Sequence, residues 1–96
     1  MIPNFDWDLD KARENVRKHG VTFEEAATAF ADDDALIEDD IGHSTSEDRF
    51  IIIGMSERER LLMVVYVERT ELTMRLISAR NATRRERRDY EEKADR

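Results

Sequence analysis

Residues 49–80 read RFIIIGMSERERLLMVVYVERTELTMRLISAR, and their apolar patterning decides the fold class. Arg49 to Met55 is an Ile-rich run, Leu61 to Arg69 a second run rich in Val, and Leu72 to Arg80 a third. Each has strand length and β-branched enrichment, and charged or turn-forming residues bound it. Ser56 to Arg60 reads as a hairpin connection although it has no Gly, and Thr70 and Glu71 as a short turn. Leu61 to Val67 is apolar throughout, which predicts a central strand. The middle of the chain is thus an antiparallel meander. A fourth strand at its edge is expected over Ala35 to Ile41, blunted by Glu38, Asp39 and Asp40.

Helices flank the meander. Asp8 caps a first one, with Leu9, Ala12 and Val16 on one face and Gly20 just past its end. Thr22 opens a second: Thr22 and Glu25 have capping-box spacing, and Phe23, Ala26, Ala27 and Phe30 fall at i, i+3, i+4 and i+7. Asp32, Asp33 and Asp34 end it, because aspartate competes for backbone donors and prefers turns. After the meander, Thr83 and Glu86 repeat the capping-box spacing and start a last helix. The order is two N-terminal helices, a three- to four-stranded antiparallel sheet and one C-terminal helix, a single α+β domain over residues 1–96.

The chain of 96 residues has a net charge of −7, which argues against a generic nucleic-acid binder. The charge is divided unevenly, however. Residues 1–48 balance at −10 and residues 49–96 at +3. An acidic half either repels nucleic acid or serves as the surface for a basic protein partner. There is no Cys, which removes disulfides and thiolate chemistry and fits a reducing cytoplasm. No apolar run reaches the ~18 residues of a membrane span.

The basic residues between Arg75 and Arg88 are Arg75, Arg80, Arg84, Arg85, Arg87 and Arg88, with no Lys among them. Arginine presents a planar fork that matches phosphate, whereas lysine is a point charge. Arg84 and Arg85 also fall in the first turn of the last helix, where a cation opposes the helix dipole at a cost of ~0.3 kcal/mol or more. A solvated helix laced by Arg85–Asp89, Arg87–Glu91 and Arg88–Glu92 pairs is the plain alternative, but Arg preceding the acid is the weaker orientation. The cluster therefore points to phosphate. Strand alternation separates Arg75 from Arg80, so the two converge only if the strand twists or ends near Ala79.

Other chemistry is sparse. His19 closes the first helix beside Lys18, and His43 lies in a turn. No metal-ligand spacing, Gly-rich phosphate loop or nucleophile elbow is present, so neither metal nor cofactor is expected. Phe5, Trp7, Phe23, Phe30 and Phe50 read as core, and Tyr66 as buried in the central strand. Tyr90 is balanced between docking its helix and meeting a substrate.

In order along the chain stand Phe5-Asp6-Trp7-Asp8, Arg17-Lys18-His19-Gly20-Val21, Phe23-Glu24-Glu25-Ala26, Glu47-Asp48-Arg49-Phe50 to Gly54, and Leu61 to Glu68-Arg69. Ile77-Ser78-Ala79-Arg80, Ala82-Thr83 and Glu86-Arg87 follow. Singly weak, in this order they make residues 3–92 resemble the BrnT family of toxins. The resemblance implies a RelE-like fold and a metal-independent endoribonuclease that inhibits translation in the cytoplasm. It also implies a BrnA-like ribbon-helix-helix antitoxin as partner, with operator DNA met only through that antitoxin. Carried over by position, it gives chemistry to Arg80, Arg75, Lys18, His19 and Arg87, and RNA contacts to Arg49 and Arg69. Arg84, Arg85, Arg88 and Tyr90 join the RNA surface by their place on the last helix. Cleavage by the neighbouring 2′-hydroxyl needs a base, an acid and cations on the phosphate. Lys18 or His19 is expected as base or acid, provided the first helix ends near the arginines. A non-catalytic module, engaging an acidic protein or a nucleic-acid backbone through the same arginines, is the competing expectation.

Overall fold

A computed structural model describes residues 3–40 and 49–95. It comprises β1 (Asn4–Trp7), α1 (Leu9–His19), α2 (Phe23–Thr28) continued by a 3-10 turn (Ala29–Ala31), β2 (Leu36–Asp39), β3 (Arg49–Met55), β4 (Leu61–Thr70), β5 (Thr73–Asn81) and α3 (Arg84–Ala94). The meander β3–β4–β5 lies where the apolar runs predict, and β2 is the expected edge strand. The ends of two readings, Ile41 and the turn holding His43, lie outside the described residues.

The sheet corrects the expectation in one respect. It has five strands in the order β1-β5-β4-β3-β2, and it is mixed, not antiparallel. Asn4 to Trp7, read from sequence only as carrying core aromatics, pairs parallel to β5 in the register Asn4↔Thr73 to Trp7↔Leu76. The first strand thus lies beside the last, and β4 is central. β4 buries residues of both its faces, which is why its run is apolar throughout.

Each face of the sheet carries its own helical layer. Phe23, Val21 and Ala26 pack with Ile52, Leu62, Val64, Tyr66, Leu76 and Ala79 on one face. Edge-to-face contacts of Phe30 with Tyr66 and Phe5, each 4.9 Å between centroids, extend that core. On the other face Tyr90 of α3 packs with Ile53, Leu61 and Met63.

Local chemistry explains where the helices start and stop. Asp8 accepts from the Lys11 amide at the start of α1, and Gly20 closes it in the left-handed region at φ 68°, a conformation that a side chain disfavours. Thr83 and Glu86 form the complete capping box of α3. The box expected at Thr22 is half formed. Thr22 accepts from the Glu25 amide, but the Glu25 carboxylate turns instead to the Ser56 hydroxyl at 2.7 Å and to the Arg60 guanidinium. This partly buried ion pair ties α2 to the β3–β4 turn. Gly54 is required by packing: a Cβ there would stand 2.7 Å from the Ala29 carbonyl oxygen.

Candidate functional site

Arg75 and Arg80 do come to the same face, by a different route from either anticipated. β5 continues to Asn81, past the point where it was expected to end. Its register against β4 slips by one residue between Val65 and Tyr66: Val65 pairs with Ser78, whereas Tyr66 pairs with Leu76. Ile77 is the extra residue of a β-bulge, and a bulge reverses the alternation of the side chains beyond it. Directly paired residues share a face. Arg80 lies opposite Met63, Ser78 opposite Val65, and Arg75 opposite Val67, and those three β4 residues alternate on one side. Arg49 joins them, because it too pairs with Val67. This is the face α3 covers at one end, where Tyr90 packs on Met63.

The open part of the face carries a row across four strands: Arg49, Val67, Arg75 and Asp6. With strands ~4.8 Å apart, Arg49 and Arg75 stand roughly 10 Å from each other at the backbone. The Arg75 guanidinium meets the Asp6 carboxylate at 3.4 Å, and both are partly exposed. Arg80 is held more firmly. Its two terminal nitrogens donate to the two Glu86 oxygens at 2.8 and 3.0 Å, a bidentate pair, and one also reaches the Asn81 carbonyl at 3.1 Å. Burial acts to raise the Glu86 carboxyl, but donation from Arg80 and the Thr83 amide outweighs it and holds the group below its ordinary value. Glu86 is therefore a carboxylate at neutral pH, fixing the Arg80 fork. It is the acid that sequence reading used only as a cap.

The helix α3 owes its place to the buried Tyr90 ring and to polar contacts. The Tyr90 hydroxyl donates to Asp32 at 2.6 Å, Asp32 also accepts from the Met55 amide at 2.8 Å, and Lys93 donates to the Ala35 carbonyl. The Tyr90 ring is buried and its hydroxyl is taken up by Asp32, so it docks the helix. None of the three i,i+4 pairs expected on α3 forms among the described residues. Arg84, Arg85, Arg87 and Arg88 are exposed, and Arg87 lies one turn before Tyr90. Arg69 is exposed where the β4 register slips a second time, between Glu68 and Thr70.

Lys18 and His19 are not brought to this face. They close α1, which packs against β5 on the opposite side, where Asn15 bonds to Ala79. Lys18 pairs with Glu14 at 3.7 Å. The end of α1 does reach the same end of the sheet as Arg80, since Arg60 donates to the Gly20 carbonyl at 3.2 Å. Among the described residues no group of three or more His, Asp or Glu is arranged to hold a metal ion.

Comparison with known proteins places the fold and the family. The family model described as the ribonuclease toxin BrnT of type II toxin-antitoxin systems matches residues 7–86. Among solved structures, the chain is similar to the 1.1 Å crystal structure of the Brucella abortus ribonuclease toxin BrnT. The TM-score is 0.64 at 23% identity, over 85% of this chain and 99% of that one. At that identity the likeness establishes the fold. No curated protein matches.

Proposed function

Because the chain belongs to the BrnT family of ribonuclease toxins of type II toxin-antitoxin systems, we propose that its arginine face binds RNA and promotes cleavage by the neighbouring 2′-hydroxyl. The observation that carries this reading is the bulge at Ile77, which sets Arg75 and Arg80 on one face with Arg49. In that reaction the 2′-oxygen bonds to phosphorus, the 5′-oxygen leaves, and negative charge grows on the phosphate oxygens. Arg75 and Arg80 supply fixed donors for that charge, and Glu86 keeps the Arg80 fork oriented before substrate arrives. Arg49, Arg69 and Arg87 hold flanking phosphates, and the exposed Arg84, Arg85 and Arg88 extend the contact along α3. The chemistry proceeds without a metal, since guanidinium groups meet the charge that a cation would otherwise meet. The proton-transfer roles assigned to Lys18 and His19 require RNA to pass around β5 from the arginine face to the end of α1.

The fold is read as RelE-like, and the toxin as acting on translation in the cytoplasm until its antitoxin binds. A type II toxin implies an antitoxin partner. We assign this one a ribbon-helix-helix, BrnA-like protein that covers the arginine face and alone contacts operator DNA. A second reading, a non-catalytic module, is favoured by one feature: Arg75 and Arg80 are each already paired with a carboxylate. Induced expression separates the two. The nuclease reading expects growth arrest with loss of mRNA, abolished by Arg75→Ala and reversed by co-expressing the antitoxin. Arrest without RNA loss, or no arrest at high soluble expression, supports the module.

A further inference from the structure

The helical layer opposite the arginines carries a feature that RNA cleavage does not use. A groove of about 660 Å³ runs beside α2 and its 3-10 turn, lined by Pro3, Phe5, Ala27, Phe30, Ala31 and Thr28, with Asp33 and Glu57 at its rim. Ala27 and Ala31 fall at i and i+4 on one side of the helical segment, and their small side chains leave room for an incoming chain. Phe5 and Phe30 are each half-buried, spending part of their surface on the core and leaving the remainder to the groove.

Charge selects the occupant. Among the described residues no Lys or Arg lines the groove. Its rim acids are exposed, and so are Asp34 beside Asp33 and Glu24, one turn before Ala27. The nearest cation in sequence is Arg58, exposed in the β3–β4 turn. Asp33 and Glu57 thus give the groove an anionic edge on the layer opposite Arg49, Arg75 and Arg80. A phosphate backbone is repelled there, and an acidic peptide likewise. An apolar floor with half-exposed aromatic rings and an anionic rim matches a segment with apolar anchors flanked by Lys or Arg.

We infer that this groove docks a basic amphipathic segment of the partner protein, on the layer opposite the RNA-binding face. The inference rests on the toxin having a protein partner and not on RNA cleavage. Docking here leaves the arginine face free, so a partner can hold the toxin through the groove while a separate part of it closes the arginine face.

Titration of the full chain with three probes, followed by backbone amide NMR shifts, tests this. The probes are a 14-residue Leu/Lys amphipathic peptide, its Leu/Glu counterpart, and an oligouridylate. The Leu/Lys peptide is expected to shift Ala27, Thr28, Phe30 and Ala31, while the Leu/Glu peptide and the oligouridylate leave them in place. Ala31→Arg, which fills the groove mouth at an exposed position, and Asp33→Lys/Glu57→Lys, which reverses the rim, are each expected to weaken the peptide at least tenfold. Arg75→Ala should not weaken it. RNA cleavage by the Ala31→Arg variant should equal the parent's, so failure of the groove and failure of the nuclease reading are distinguishable. Absence of peptide binding, shifts spread over the acidic surface, or affinity unchanged in both groove variants overturns the inference.

Discussion

Asn15 extends the sheet where β1 stops. Its side-chain oxygen accepts from the Ala79 amide at 3.0 Å, and its nitrogen donates to the Ala79 carbonyl at 2.8 Å and to the Val21 carbonyl at 2.9 Å. β1 pairs with β5 only as far as Leu76, so an amide side chain replaces the missing strand at Ala79. Asn15 is 5% exposed, so its bonds to those backbone groups are shielded from water. Asn15→Ala is expected to cost about 2 kcal/mol or more in urea unfolding, since each buried polar group left unsatisfied costs roughly 1–3 kcal/mol. Glu59 has the opposite sign. It sits at φ 61° in the β3–β4 turn, a conformation that costs a non-glycine residue roughly 1 kcal/mol or more. Glu59→Gly should therefore raise the unfolding midpoint slightly, and a lower midpoint would count against strain at this turn. Titration at single residues also sets the pH range of folding. Donation from Arg60 lowers Glu25, and the bonds from Arg80 and Thr83 outweigh burial to lower Glu86, both from 4.5. Their contribution is complete above that value and is lost as pH falls through the depressed folded values. Burial raises Tyr90 and pushes Tyr66 up to about 12, so their contribution holds below the ordinary value of 10.0 and is lost as pH rises through the folded values. Urea midpoints should stay level between about pH 5 and 10 and fall on both sides, and Glu86→Gln should soften the acid limb.

At the scale of elements, legibility followed local signal. β3, β4 and β5 were readable because long β-branched runs leave no other use for their side chains. The α1 and α3 caps were readable because Asp8 and Thr83 act within three residues of themselves. β1 was not readable, because four residues pairing parallel to a strand almost seventy positions away carry no turn signal. The bulge at Ile77 was equally silent: no Gly or Pro marks it, and alternation counted along the sequence puts Arg75 and Arg80 on opposite faces. The arginines themselves could be named, but their convergence depends on one unmarked residue. Glu25 shows a related limit. Its spacing to Thr22 was right, yet a partner 35 residues away, Arg60, took its carboxylate. The docking of α3 was only half visible for the same reason, since beside the single apolar anchor Tyr90 its polar anchors reach Asp32 and Ala35.

Charge in the whole molecule is sorted by surface. Arg49, Arg75 and Arg80 share one face of the sheet, and Arg84, Arg85, Arg87 and Arg88 are exposed on α3. Asp33 and Glu57, by contrast, edge the groove on the opposite layer. A net charge of −7 is thus compatible with a phosphate-binding face, because what matters to RNA is the field over that face. The fold class, its single sheet and the identity of the arginines were available from sequence, while the face they share was not. The central claim is that Arg75 and Arg80 act together on one phosphate from that face. Its most direct test is the single-turnover cleavage rate of an RNA by the purified chain and by Arg75→Ala, Arg80→Lys and Arg85→Ala variants, each shown to be folded. At saturating chain, losses of roughly 10²–10³ are predicted for the first two, as for removal of one transition-state donor, and little change for Arg85→Ala, which contributes to binding alone. Equal rates for Arg75→Ala and the parent would contradict the account.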